Sequence, residues 1–105
     1  MTQTIAIITP AFRAERWIAR CARSVLAQSH SDWEHWIVAD DGADYEAILA
    51  AAGARDPRQH FAATGAVGRG SSAARNVALD AIATPYAALL DADDRFAPEK
   101  LARVV

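Results

Sequence analysis

Three carboxylates crowd the end of one apolar run. Tyr86-Ala87-Ala88-Leu89-Leu90 has the length and character of a strand, and Asp91, Asp93 and Asp94 follow it directly. Charges gathered at the end of a buried strand are costly unless water or a cation compensates them. Hard oxygen donors of this kind suit Mg²⁺ or Mn²⁺, ions that usually arrive with substrate phosphates. A second acidic group, Asp40-Asp41-Gly42, closes the apolar run Trp36-Ile37-Val38-Ala39. Taken alone, each group reads equally well as a solvated turn. Their candidacy as ligands depends on where the elements place them.

Residues 4–9 form a β-branched run stopped by Pro10, which reads as a central strand buried on both faces. A helix is expected over about 14–28, where Trp17, Cys21 and Val25 recur at spacing four, with Ile18 and Leu26 beside them. Ser29 to Asp32 breaks it, and a second strand spans 33–39. Asp44 is placed to cap a helix that runs to about Ala52 and closes at Gly53. A weak strand over 59–63 precedes a glycine-rich loop over 64–70. A third helix begins at Ser71 or Ser72 and ends near Ile82, before Thr84-Pro85. Its inner face is Ala74, Val77, Ala78 and Ile82. The fourth strand spans 86–90, and Pro98 suits the first turn of a last helix opening over 97–101. Alternating strands and helices imply the α/β class: an open, Rossmann-like parallel sheet with flanking helices. The strand ends of such a sheet share one edge, where ligands bind. Both acidic groups therefore converge on one crevice.

Composition narrows the partners. The chain has 105 residues, 52% hydrophobic and 23% charged, and reads as a single domain over 1–105. A net charge of −2 with scattered basic residues argues against nucleic acid and anionic membranes. No apolar run approaches the ~20 residues of a transmembrane segment. Met1-Thr2-Gln3-Thr4 offers no basic region before the apolar stretch, so a cytoplasmic location is expected. The single cysteine, Cys21, excludes an internal disulfide and a Cys-based zinc site, and its apolar neighbours mark a buried thiol. His30, His35 and His60 lack ligand spacing and are expected as surface or capped histidines. Trp17, Trp33 and Trp36 are expected as packing residues. No Gly-X-Gly-X-X-Gly follows the first strand, and no Walker loop is present.

Several stretches, in order, resemble the family 2 glycosyltransferases, which have the GT-A fold. They are Ile7-Ile8-Thr9-Pro10-Ala11-Phe12, Ser24-Val25-Leu26-Ala27-Gln28-Ser29 and Trp36-Ile37-Val38-Ala39-Asp40-Asp41-Gly42, followed by Ala74-Arg75-Asn76-Val77-Ala78-Leu79 and Leu89-Leu90-Asp91-Ala92-Asp93-Asp94 with Pro98-Glu99-Lys100-Leu101. The resemblance implies strand order 3-2-1-4 and a nucleotide-diphospho-sugar donor, most often a UDP-sugar. It also implies inverting transfer of the sugar to an acceptor hydroxyl. Thr9 and Pro10 would border the base through main-chain contacts. Asp41 would accept a hydrogen bond from the base and Asp40 would support that turn. Arg75 would contact the base with its planar guanidinium. Asp91 would face the ribose and the metal, and Asp93 would bind the divalent cation, Mg²⁺ or Mn²⁺. Asp94 would join them or cap the next helix.

The same resemblance implies that an acceptor half, with the catalytic base, is absent from these 105 residues. The chain is then the nucleotide-sugar-binding half, and its catalytic residues are unassigned. A nucleotide-binding module or inactive fragment without transferase activity is the alternative. A receiver-like signalling domain, with its own acidic crevice, is a further one. An uncharged fourth strand left at the sheet edge is expected to pair with a second copy as a homodimer.

Overall fold

The chain runs β1 (Ile5–Ala11), α1 (Ile18–Leu26), β2 (Trp33–Ala39), α2 (Tyr45–Ala51), β3 (Gln59–Ala63), α3 (Ser71–Ala81) and β4 (Tyr86–Leu89). A computed structural model describes residues 4–84 and 86–103. Met1, Thr2, Gln3, Val104 and Val105 lie outside the described residues, as does Pro85, expected to end the third helix. The strands pair in parallel in the expected order, β3-β2-β1-β4. A receiver-like sheet seats β1 beside β3. Here β1 pairs with β2 and β4, which removes that reading.

Strand alternation assigns the two faces. Ile5, Ile7 and Ala11 of β1, with Trp33 and Ile37 of β2, pack under α1, whose Ile18, Cys21, Ala22 and Val25 are buried. Tyr45 and Leu49 of α2 extend this core. On the opposite face Ile8 and Val38 meet Ala74 and Ala78 of α3. Asp44 caps α2 by accepting from the Ala47 amide at 3.1 Å, and Gly53 follows it at φ 72°, as the turn chemistry predicts. No helix among the described residues is long and apolar enough to cross a membrane.

Four expectations are corrected. First, α1 starts at Ile18, because the Trp17 and Ile18 amides both bond the Ala14 carbonyl at 2.9 Å in a preceding turn. Second, 98–103 forms consecutive turns rather than a helix. Gln28 Nε2 donates to the Ala97 carbonyl at 2.7 Å, while its Oε1 accepts from the Leu101 amide at 2.9 Å. Those two backbone groups are the partners of one helical i→i−4 bond, so the Gln28 amide stands where that bond would form. Third, Trp17 is 37% exposed, whereas Trp33 is buried and Trp36 half-buried.

Fourth, His35 is fully buried. Alternation sets it between Trp33 and Ile37 on the α1 face. Its Nε2 lies 2.7 Å from Thr9 Oγ1, which also contacts Cys21 Sγ at 3.8 Å. Nδ1 has no partner. Burial pushes the imidazole down to about 3 and the Cys21 thiol up to about 12, so both are neutral at pH 7.

Candidate functional site

The C-terminal ends of β1, β2 and β4 open onto one cleft of about 560 Å³, a size typical of ligand sites. Pro10, Phe12 and Arg13 line it after β1, with Trp17 at the start of α1. Asp40 lines it after β2, and Asp91 and Asp93 after β4. Gly68, Gly70 and Ser71 add the N-terminal end of α3. The two acidic groups, half the chain apart in sequence, thus border the same space.

Asp40 organises the loop over 64–70. Its carboxylate accepts from Thr64 Oγ1 at 2.7 Å and from the amides of Arg69 at 3.0 Å and Gly70 at 2.8 Å. Its carbonyl accepts from the Gly68 amide at 2.8 Å. The Thr64 hydroxyl, then the Gly70 and Arg69 amides, hold the carboxyl below its ordinary value. Gly70 sits at φ 99°, where any Cβ is strained, so the entry to α3 depends on a glycine.

Asp41 braces the loop after β1. Its Oδ2 accepts from the Arg13 amide and the Tyr45 hydroxyl, both at 2.7 Å, and its Oδ1 accepts from the Ala43 amide at 3.0 Å. Partial burial pushes this carboxyl up, but the Tyr45 hydroxyl and the two amides outweigh it and leave the group below its ordinary value. Arg13 adopts φ 51°, the left-handed region that disfavours most side chains. Arg13→Asn keeps the amide bond to Asp41 and suits that conformation. It is expected to stabilise the fold by about 0.5–1 kcal/mol, seen as a higher urea midpoint. An unchanged midpoint would show that the left-handed residue carries no cost here.

The acidic turn closes through the Asp94 amide and the Asp91 carbonyl at 2.9 Å. Asp91, Asp93 and Asp94 are exposed, and one carboxylate oxygen of each lies within 4.8 Å of the others. Three hard oxygen donors so close together fit a divalent cation such as Mg²⁺ or Mn²⁺.

Arg75 lines a neighbouring recess of about 280 Å³ rather than the main cleft, and Asp91 lines both. Its guanidinium donates to the Ser71 carbonyl at 3.3 Å and Ser72 Oγ at 3.2 Å. Thr9 is fully buried and does not reach the cleft; it meets His35 inside the core instead. The sequence reading missed Phe12 and Trp17 as wall residues. Phe12 is 45% exposed, and its ring lies beside Gly68, where an added Cβ would make ordinary contact with Cε2 at 4.0 Å. The available signal was position, since both follow the first strand end within a few residues.

Comparison with known proteins gives a consistent result. The sequence matches the description "Glycosyl transferase family 2" over residues 6–105. It is 36% identical to a Bacillus subtilis protein named as a teichuronic acid biosynthesis glycosyltransferase, TuaG, over 92% of this chain. It is 32% identical, also over 92% of this chain, to the Escherichia coli UDP-Glc:alpha-D-GlcNAc-diphosphoundecaprenol beta-1,3-glucosyltransferase WfgD. The chain spans 38% of the length of each of these curated relatives. Its fold is similar to that of S. aureus TarS 1-349, with a TM-score of 0.83 at 20% identity, covering 96% of this chain and 31% of that one. TarS 1-349 has also been solved in complex with UDP and with UDP-GlcNAc.

Proposed function

The chain belongs to glycosyl transferase family 2, and from that premise we propose that it binds a nucleotide-diphospho-sugar, a UDP-sugar, for inverting transfer to an acceptor hydroxyl. The observation that carries this reading is the meeting of the acidic turn and the β1 exit around one cleft. Asp91 and Asp93 would hold Mg²⁺ or Mn²⁺, with Asp94 within reach. When bound, that ion supplies charge neutralisation for the diphosphate leaving group.

The other residues have distinct tasks in this proposal. Pro10 and the exposed Phe12 ring wall the base. Asp41 offers the base its remaining acceptor capacity and holds the Arg13 loop in place. Asp40 holds Gly68 and Gly70 where their backbone can approach the phosphates. Arg75 contacts the nucleotide from the neighbouring recess through its guanidinium. Thr9 acts from within, fixing the end of β1 through His35. No side chain is assigned as the base that deprotonates the acceptor. A cytoplasmic setting belongs to the same proposal, because a charged diphosphate donor does not cross a bilayer unaided.

Calorimetry of UDP with and without Mn²⁺ tests this reading. Tighter binding with Mn²⁺ is expected, and no binding in either condition sinks it. Nucleotide binding without transfer is the second reading. Turnover of a UDP-sugar with an acceptor separates the two.

A homodimer through β4 is also proposed. Among the described residues β4 lies at the sheet edge, with Tyr86 38% and Leu89 52% exposed. Exposed, uncharged edges invite pairing. The chain is expected to sediment as a dimer at tens of micromolar, and Leu89→Lys to shift it to monomer. A wild-type monomer at that concentration removes the proposal.

A further inference from the structure

Arg20, Ser24 and Gln28 stand four residues apart, in one line along α1 and just past its end. Each ties the backbone that follows β4. Arg20 Nη2 donates to the Asp93 carbonyl at 2.7 Å. Ser24 Oγ accepts from the Phe96 amide at 3.0 Å, while donating to the Cys21 carbonyl at 2.7 Å. Gln28, itself buried, bridges the Ala97 carbonyl and the Leu101 amide, and its Nε2 also reaches the Ser24 carbonyl at 3.0 Å. The Ser29 amide completes the row by donating to the Pro98 carbonyl at 2.9 Å.

The acidic turn needs such support. Three carboxylates within 4.8 Å repel one another, and the turn has the one internal backbone bond described above. The segment beyond it is a run of turns over 98–103, held by two backbone bonds of its own, from the Lys100 amide to the Ala97 carbonyl and from the Arg103 amide to the Glu99 carbonyl. By contrast α1 is anchored in the core through Ile18, Cys21 and Val25. We propose that the Arg20–Ser24–Gln28 row is a positioning device, which transfers the rigidity of α1 to the Asp91–Asp93–Asp94 turn and so sets its affinity for a divalent cation on a nucleoside diphosphate. This rests on the reading of that turn as the cation site. Arg20 also lies over the Trp17 ring, 5.3 Å from its centroid, and so couples the aromatic wall of the cleft to the acidic turn.

These three are positioning residues, since none lines the cleft. Groups that orient metal ligands typically change metal affinity about 10–100-fold when removed. Arg20→Met, Ser24→Ala and Gln28→Leu are therefore each expected to lower Mn²⁺-dependent UDP affinity about tenfold and to leave metal-free UDP affinity unchanged. Arg20→Lys, which restores a donor, should recover most of the loss. Gln28→Leu alters no charge, so its effect cannot come from long-range attraction. It should also speed amide exchange at Leu101. Calorimetry of the full chain with UDP, with and without Mn²⁺, reads the affinities, hydrogen–deuterium exchange reads Leu101, and circular dichroism confirms folding. Folded Ser24→Ala and Arg20→Met proteins with wild-type Mn²⁺ dependence would overturn the positioning role alone. A wild-type chain whose UDP binding ignores Mn²⁺ would overturn the cation site, and the row's role with it.

Discussion

Asp93→Ala is expected to lower the affinity for UDP in Mn²⁺ by about 100-fold, the size expected for loss of one charged ligand of the proposed cation. The argument rests on where Asp93 sits. Its side chain is exposed at the turn after β4, so truncation leaves no cavity. Its carbonyl, not its carboxylate, is the group tied to Arg20, so the backbone of the turn survives the substitution. The loss therefore reports ligand chemistry rather than folding. Metal-free UDP binding is expected to stay as in the wild type. Calorimetry with and without Mn²⁺ gives both values. Equal Mn²⁺ dependence in the two proteins would show that the cation, if bound, is held elsewhere.

The alternation of strands and helices, the capped α2 and the meeting of the two acidic groups were legible because their causes are local, whereas the sheet order came from the family resemblance. Ile5 to Ile8 is a β-branched run, Asp44 and Gly53 bracket a helix, and parallel pairing sends every strand end to one edge. What escaped was decided at a distance. The carboxylate of Asp40 is filled by Thr64, Arg69 and Gly70, which lie 24, 29 and 30 residues away. Pro98-Glu99-Lys100-Leu101 has the local chemistry of a helix start, yet Gln28, 73 residues from Leu101, takes the helical bond. Aromatic residues next to a buried strand look like core, so Phe12 and Trp17 could not be recognised as cleft walls. The tasks assigned to Asp41 and Arg75 came from resemblance. Their positions differ in character, Asp41 inside a hydrogen-bonded brace and Arg75 at a separate recess.

His35 shows the same division between local pattern and tertiary consequence. Strict alternation through Trp33, His35 and Ile37 was available in the sequence, but the polarity of histidine argued for the surface. Its burial makes the fold acid-sensitive. In the folded chain the imidazole remains neutral down to about 3, against an ordinary value of 6.5. Above pH 6.5 neither the folded nor the unfolded chain binds the proton at this site. Between 6.5 and about 3 the unfolded chain binds it and the folded chain does not, so stability falls as pH falls. The slope approaches ~1.4 kcal/mol per pH unit, a loss of about 2 kcal/mol between pH 6.5 and 4.5. That is a large fraction of the stability of a small domain. Asp40, Asp41 and Asp56 are held below their ordinary 3.8, so their contributions fade only at lower pH, and the window down to 4.5 isolates the histidine. Urea midpoints at pH 7.5, 6.5, 5.5 and 4.5 should therefore decline for the wild type below 6.5. His35→Gln, which keeps a polar partner for Thr9 but cannot titrate, should be less stable at pH 7.5 and flat across the window. A flat wild-type profile would mean that the imidazole gains a proton in the folded state, through water or a shift that opens Nδ1 to solvent.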